Sequence, residues 1–141
     1  MKAMFLTLAM ILVSSIMGVS AQNLIYTNTC KTESETVKEC IAYNSDEDRP
    51  DTKTIYTYNK NGDMVSKVVS KWTEGEWLIR SKSEFSYDDA KLSVVTHTKW
   101  DNRINNWANE SQYTNFLYDD NGDFLTAVDS KGNSENLVTA R

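Results

Sequence analysis

The chain repeats a two-strand unit with a period near 30 residues, and this repeat restricts its fold more than any other feature. The phrase aromatic-x-Tyr-Asn/Asp occurs three times, and its tyrosines, Tyr58, Tyr87 and Tyr118, are 29 and 31 residues apart. A second landmark, the tryptophan at the end of a nine-residue segment, recurs after 28 residues, at Trp72 and Trp100. A fixed period of this length indicates a repeat architecture in which each unit packs against the next.

Within each unit the side chains alternate with a period of two, the pattern of a β-strand with one drier and one wetter face. The segments 64–72, 92–100 and 124–132 share this alternation and have lysine at their eighth position. The segment 77–87 alternates too, with Trp77 and Phe85 predicted on one face. Helical periodicity is absent from residue 22 onward, so we predict an all-β antiparallel meander of about seven to nine strands, as a single-layer sheet or a partly closed barrel.

The segment 107–118 is one residue longer than its counterpart 77–87. Because side chains alternate strictly along a strand, an extra residue moves every later side chain to the other face. The aromatic residues stay in phase only if a β-bulge absorbs the extra residue, and we predict that bulge near residues 113–115.

Turns are predicted near residues 33–35, 60–63, 73–76, 88–91, 101–106 and 120–123. The phrases NKNGD and DDNGD contain Asn61-Gly62 and Asn121-Gly122, dipeptides in which both residues tolerate positive φ. DDNGD also resembles a calcium loop in its oxygen ligands, but its glycine comes early, no glutamate closes it and strands flank it. We therefore interpret the repeated phrase as a repeated turn.

The first 21 residues have the features of a cleaved signal peptide: Lys2, an apolar run to about Val13, and a small-x-small site ending at Ala21. The apolar run is too short for a spanning helix. We expect export to the periplasm or the exterior, with no membrane span after cleavage. Residues 22–141 are then one domain, consisting of a hairpin at 22–44, an acidic loop at 45–51 that contains Pro50, and repeats at 52–141.

Two cysteines, Cys30 and Cys40, follow the signal segment. If residues 24–32 and 36–43 form a hairpin that turns near Glu35, the two thiols lie opposite each other. Export permits a disulfide, so we predict a Cys30–Cys40 bond. The spacing lacks the C-x-x-C pattern of redox pairs, and one histidine is too few for a typical zinc site.

The charge pattern narrows the possible partners. The chain has a net charge of −5 with its lysines and acids interspersed, which argues against nucleic acid and anionic membranes as partners. His97 is the only histidine, and in the repeat it aligns with Val69 and Asp129, so we interpret it as incidental. No catalytic nucleophile motif or phosphate loop is present, and we expect neither enzymatic activity nor a cofactor or metal.

The four tryptophans are the candidate ligand surface: Trp72, Trp77, Trp100 and Trp107. Each pair flanks a predicted turn, so both pairs are expected at one end of the sheet, facing each other across strands. They could form the core of a chain that has few leucines and isoleucines. They could also form an exposed aromatic platform for sugar rings, and the residues alone leave both interpretations open.

The signal segment, the aromatic-x-Tyr-Asn/Asp phrase, the NGD turn and the paired tryptophans resemble the small exported bacterial proteins of domain of unknown function 3836. That resemblance implies an all-β secreted protein and supplies no activity and no catalytic residues. We therefore expect a non-enzymatic β-repeat protein that binds a glycan or an envelope protein. The alternatives are a carbohydrate-binding module using the tryptophans and a structural protein whose sheet edges self-assemble.

Overall fold

The computed structural model describes residues 23–133, which form one antiparallel sheet of eight strands in chain order. The strands are β1 (Asn23–Lys31), β2 (Glu35–Asn44), β3 (Arg49–Asn59), β4 (Met64–Thr73), β5 (Glu76–Asp88), β6 (Lys91–Asp101), β7 (Asn106–Tyr118) and β8 (Phe124–Asn133). The predicted all-β meander is confirmed. The sheet is open, with β1 and β8 as its edges, and is not closed into a barrel. Within residues 23–133 no helix is long and apolar enough to cross a membrane.

The sheet is a single layer, so its two faces share the work of burial. We call the face that carries Val68 of β4 face A and the face that carries Val69 face B. The buried apolar side chains of the described region are Tyr113 and Phe116, which are 3 % and 6 % exposed. Both belong to β7, and the register places Tyr113 on face A and Phe116 on face B. Most other strand side chains are half-buried and shielded by cross-strand neighbours, not by a second layer.

The repeated NGD phrase is a turn, as predicted. The amide of Gly62 donates to the carbonyl oxygen of Asn59 (3.0 Å), and Gly122 donates to Asp119 in the same way (2.9 Å). Gly62 and Gly122 have positive φ, but the preceding asparagines do not, so the prediction that both residues of each dipeptide adopt positive φ is wrong. The turn is longer than a two-residue hairpin, and only its final glycine takes the left-handed conformation.

The middle unit connects β5 and β6 without glycine. Its two turn residues, Asp89 and Ala90, both have positive φ, 46° and 61°. A two-residue hairpin requires this conformation at both positions, and it suits the twist of the flanking strands. For an L-residue the left-handed region costs roughly 1–2 kcal/mol, so this turn carries a local strain.

Replacing Ala90 with glycine is expected to stabilise the protein by about 0.5–1 kcal/mol. The substitution removes the steric cost of positive φ, and part of that gain is lost to the greater freedom of glycine in the unfolded chain. Urea denaturation measures the effect. The matched control is Gly75→Ala in the β4–β5 turn, where φ is +93° and an added Cβ meets no atom within 4 Å. That change should destabilise, and two shifts of the same sign would contradict the explanation.

Bulges change the faces that simple alternation predicts. In β5, Ser81 pairs with Val69 and Ile79 pairs with Ser70, so Arg80 is an extra residue. Trp77 and Ile79 therefore lie on face A, whereas Phe85 lies on face B with its partner Val95. The prediction that Trp77 and Phe85 share a face is wrong, because the bulge reverses the phase between them.

The irregularity predicted in the longer segment 107–118 exists, but its position was predicted wrongly. Thr98 pairs with Ser111 and Trp100 pairs with Trp107, so three residues of β7, at 108–110, stand against Lys99 alone. Residues 113–115 are in regular register. β7 thus has two extra residues where β5 has one, which accounts for the difference in length between the two segments.

The predicted Cys30–Cys40 disulfide is wrong. Cys30 pairs with Val37, and Cys40 pairs with Thr27, so the hairpin register differs by three residues from the one assumed. An odd shift places the two side chains on opposite faces, with Cys30 on face A and Cys40 on face B. Both are free thiols.

The acidic loop between the first hairpin and the repeats is shorter than predicted. It covers residues 45–48 instead of 45–51, because β3 already begins at Arg49. Pro50 pairs with Tyr43 and Thr52 pairs with Ala42, so Asp51 between them is a bulge residue. A proline near a strand start and beside a bulge costs little, since the ladder is already irregular there. The predicted signal peptide, residues 1–21, and the terminal stretch from residue 134 onward lie outside the described residues.

Candidate functional site

The four tryptophans form two cross-strand pairs on face A. Trp72 of β4 lies directly opposite Trp77 of β5, and Trp100 of β6 lies opposite Trp107 of β7, as the sequence predicted. The ring centroids are 5.1 Å apart in both pairs, with interplanar angles of 69° and 88°. Edge-to-face contacts of this kind stabilise aromatic pairs beyond their burial.

Both pairs lie at the same end of the sheet, next to the β4–β5 and β6–β7 turns. All four indoles are half-buried. They are therefore neither a closed core nor fully exposed rings. We call this set of four indoles the tryptophan surface.

A lysine covers one ring of each pair. The Nζ atom of Lys53 lies 5.0 Å from the centroid of the Trp77 ring, and the Nζ atom of Lys82 lies 5.0 Å from that of Trp107. Each lysine reaches over a small buried residue on its neighbouring strand, Ser70 for Lys53 and Thr98 for Lys82. The two units therefore repeat the same three-part arrangement of lysine, small residue and tryptophan pair.

Sequence analysis missed these lysines, although a signal was present. Lys53 precedes Trp77 by 24 residues and Lys82 precedes Trp107 by 25. A lysine above an indole is worth about 0.5–1 kcal/mol at an exposed site. A ligand that stacks on the covered ring must displace the lysine, which then becomes available to an acidic or polar group of that ligand.

The loop beside the second pair is held by an ion pair. Arg103 donates from Nε to Oδ1 of Asp101 (3.1 Å) and from Nη2 to Oδ2 (2.8 Å). These bonds, together with the one from the Arg103 amide, lower the pKa of Asp101 to about 2. The loop also exposes Ile104, which adds an apolar side chain near Trp100 and Trp107.

The acidic turn of the third unit does not offer a ready metal site. Oδ1 of Asp119 accepts hydrogen bonds from the amides of Asn121 (2.9 Å) and Asp123 (2.8 Å). Asn59 makes the same contacts with the amides of Asn61 and Asp63 in the first unit. Within residues 23–133 no group of three or more potential ligands is placed to hold a metal ion.

The repeated tyrosines have a structural role at the bulges. In every unit the ladder shifts by one residue at the tyrosine, which pairs with Met64, Leu92 or Phe124 on the next strand. The hydroxyl of Tyr87 donates to the carbonyl oxygen of Met64, and that of Tyr118 donates to Leu92, both at 2.8 Å. Each bond links one repeat to the preceding one. Burial raises the pKa of Tyr87 to about 12.

Replacing Tyr87 with phenylalanine is expected to lower the free energy of unfolding by about 1 kcal/mol. The change removes one hydrogen bond of ordinary net value and leaves the Met64 carbonyl without that donor. Tyr58→Phe is the matched control, because no hydrogen bond from its hydroxyl is found among residues 23–133. Equal effects of the two substitutions in urea denaturation would show that the inter-repeat bond contributes nothing.

His97 lies on face B, away from the tryptophan surface. Its Nδ1 atom is 3.2 Å from the hydroxyl oxygen of Ser83. Burial, followed by the positive charges of Lys99 and Lys67, lowers the pKa of His97. The neutral form is therefore favoured near neutral pH, in surroundings that are basic on this face.

The comparisons with known proteins agree with the fold. The profile of a family described as a family of unknown function, DUF3836, matches residues 1–117 and so includes both tryptophan pairs. A crystal structure of a DUF3836 family protein from Parabacteroides distasonis is similar over 82 % of this chain and 94 % of that chain, at 16 % identity and a TM-score of 0.47. No curated protein matches the chain.

Proposed function

The chain belongs to the DUF3836 family, a family of unknown function, and we propose that it is an exported, non-enzymatic binding protein whose contact area is the tryptophan surface. One observation carries this proposal: all four indoles lie on the same face and at the same end of the sheet, and all are half-exposed. Export is inferred from the signal-like residues 1–21 and stays a prediction.

Saccharides are the ligand class that this surface suits best. Indole faces stack on sugar rings, and amphipathic aromatic side chains are enriched where a surface binds a partner. The two pairs are separated by two strands, which is about 10 Å, so an oligosaccharide can contact both. Lys53 and Lys82 would then move from the rings to the polar groups of the sugar.

The test combines tryptophan emission with a panel of neutral cello-, xylo- and manno-oligosaccharides. We expect partial acrylamide quenching in the free protein, and protection from quenching when a saccharide binds. The variant Trp100→Ala/Trp107→Ala should lose most of the affinity while remaining folded by circular dichroism. Phe124→Ala/Leu125→Ala, which removes two exposed apolar side chains elsewhere, is the matched control. Absence of binding across the panel, or binding unchanged in the tryptophan variant, would contradict the proposal.

A second candidate function, self-assembly through a sheet edge, is favoured by the composition of β8. Phe124, Leu125 and Val128 are exposed on this edge strand, as is Leu117 on its neighbour. An edge strand with apolar side chains can pair with another copy, and a charge on such an edge prevents that pairing. A concentration-dependent mass that Val128→Lys abolishes would support assembly. A monomeric mass over the whole concentration range would exclude it.

A further inference from the structure

A straight row of polar side chains crosses face B from one edge of the sheet to the other. The register pairs each member with the next, through all eight strands: Thr29, Lys38, Tyr56, Lys67, Ser83, His97, Gln112 and Lys131. Basic groups occupy every second strand from β2 onward. Neutral groups that can form hydrogen bonds lie between them. We call Lys38, Lys67, His97 and Lys131 the basic row.

The basic row has few acids nearby. The adjacent rows on face B carry Cys40, Thr54 and Val69 on one side and Tyr58, Phe85 and Val95 on the other. On β7 and β8 the acids of this face are Glu110 and Asp129, and Asp129 accepts a hydrogen bond from Thr114 at 2.7 Å. The ion pairs of residues 23–133 do not include any lysine of the row.

The opposite face does not share this charge pattern. The two continuous rows on face A that flank the basic row carry Glu39 and Glu84, and Lys82 there forms an ion pair with Glu84 at 3.0 Å. The chain as a whole has a net charge of −5. A row of uncompensated cations on one face of an acidic protein is a specific local field that attracts anions.

The spacing of the row indicates which anion fits. Neighbouring strands are about 4.8 Å apart, so basic groups on alternate strands repeat at about 10 Å. That repeat is comparable with the length of two sugar rings in an extended polysaccharide. We propose that the basic row binds a linear anionic polysaccharide that carries one acidic group in every disaccharide. Tyr56, Ser83 and Gln112 would meet the uncharged sugar between acidic groups.

This inference goes beyond the proposed function, because the basic row and the tryptophan surface lie on opposite faces of one sheet. A variant of either face tests one ligand surface and leaves the other intact. Failure of the neutral saccharide panel would not affect the basic row. Failure of the anionic ligand would not affect the tryptophan surface.

The experiment measures binding of hyaluronan oligosaccharides, which have one carboxylate per disaccharide, by calorimetry. Each exposed ion contact contributes up to about fivefold in affinity. An octasaccharide should therefore bind at least about tenfold more tightly than a tetrasaccharide, since it reaches four basic positions instead of two. Lys38→Gln/Lys67→Gln/Lys131→Gln should lose between about tenfold and a hundredfold. Lys38→Gln/Lys131→Gln, which changes only exposed side chains, tests the same point if the half-buried Lys67 is needed for folding.

The matched control is Lys60→Gln/Arg80→Gln/Arg103→Gln, which removes the same charge from positions outside the row. This variant should keep the affinity within about twofold. The proposal is overturned if the control loses as much as the row variant or if cello-oligosaccharides bind equally well. It is also overturned if the octasaccharide gains nothing over the tetrasaccharide, or if an acidic peptide with four carboxylates binds as tightly.

His97 adds a pH signature that a purely structural role would not produce. It is the only histidine, so between about pH 7.5 and about pH 5.5 it is the side chain expected to change charge. The charged groups on face B around it are Lys99 on its own strand, Lys67 on β4 and Glu110 on β7, while β5 presents the neutral Ser83. Affinity should rise severalfold as the pH falls through this range, and His97→Gln should remove the rise. A rise that persists in His97→Gln would contradict this part of the inference.

Discussion

Replacing Phe116 with alanine is expected to lower the free energy of unfolding by about 3 kcal/mol, measured by urea denaturation. Phe116 is one of the two buried apolar side chains of the described region, and its ring centroid is 6.3 Å from that of Phe124. Loss of a buried phenylalanine costs about 3–5 kcal/mol in ordinary cores. We expect the lower end of that range, because in a single layer the vacated space opens to water and does not become an enclosed cavity.

Leu125→Ala is the control for this prediction. Leu125 is 61 % exposed, so its truncation should change stability by no more than about 0.5 kcal/mol. A domain of this size has a total stability of about 5–15 kcal/mol, so the Phe116 variant loses a large share of it. Equal effects of the two substitutions would show that the sheet has no privileged core residue and is held by its ladders alone.

The single layer also explains why the sequence predicted the architecture well. Each strand is flanked by its chain neighbours, and its register is set by a short turn. Local patterns therefore carry most of the information, and the repeated tyrosine and NGD phrases located the hairpins to within about two residues, an ordinary uncertainty for element boundaries. No long-range contact between layers had to be inferred.

The errors arose at bulges and at the first hairpin, where the number of residues on the two strands differs. Arg80 is one extra residue in β5, and no feature of its neighbours marks it as extra. Its presence moves Phe85 to the face opposite Trp77. The Cys30–Cys40 prediction failed for a related reason, because it assumed a turn near Glu35 where the chain turns at residues 32–34. Strict alternation converts a small error in register into a change of face.

The candidate site was predictable in part. The cross-strand tryptophan pairs followed from the repeat, since Trp72 and Trp77 flank a short turn. The covering lysines and the basic row did not follow, because their members are separated by 25 residues or more along much of the row and meet only through the register. His97 was interpreted as incidental by comparison with Val69, its counterpart in the preceding unit. In the structure it occupies a row in which Lys67, not Val69, is the relevant neighbour.

A double-mutant cycle on Trp100 and Trp107 is expected to give a coupling energy of about 0.5–1.5 kcal/mol, the range found for aromatic pairs in contact. Each single alanine variant should itself lose about 2–3 kcal/mol, less than a fully buried tryptophan because both indoles are half-exposed. The cycle Trp72 with Trp107 is the control, since these residues belong to different pairs and should not couple. A coupling energy near zero for Trp100 and Trp107 would mean that the edge-to-face contact contributes nothing to stability, and that the pairs are held apart from folding. Strong coupling instead explains why half-exposed indoles are tolerated: each ring stabilises its partner while leaving part of its surface accessible to a ligand.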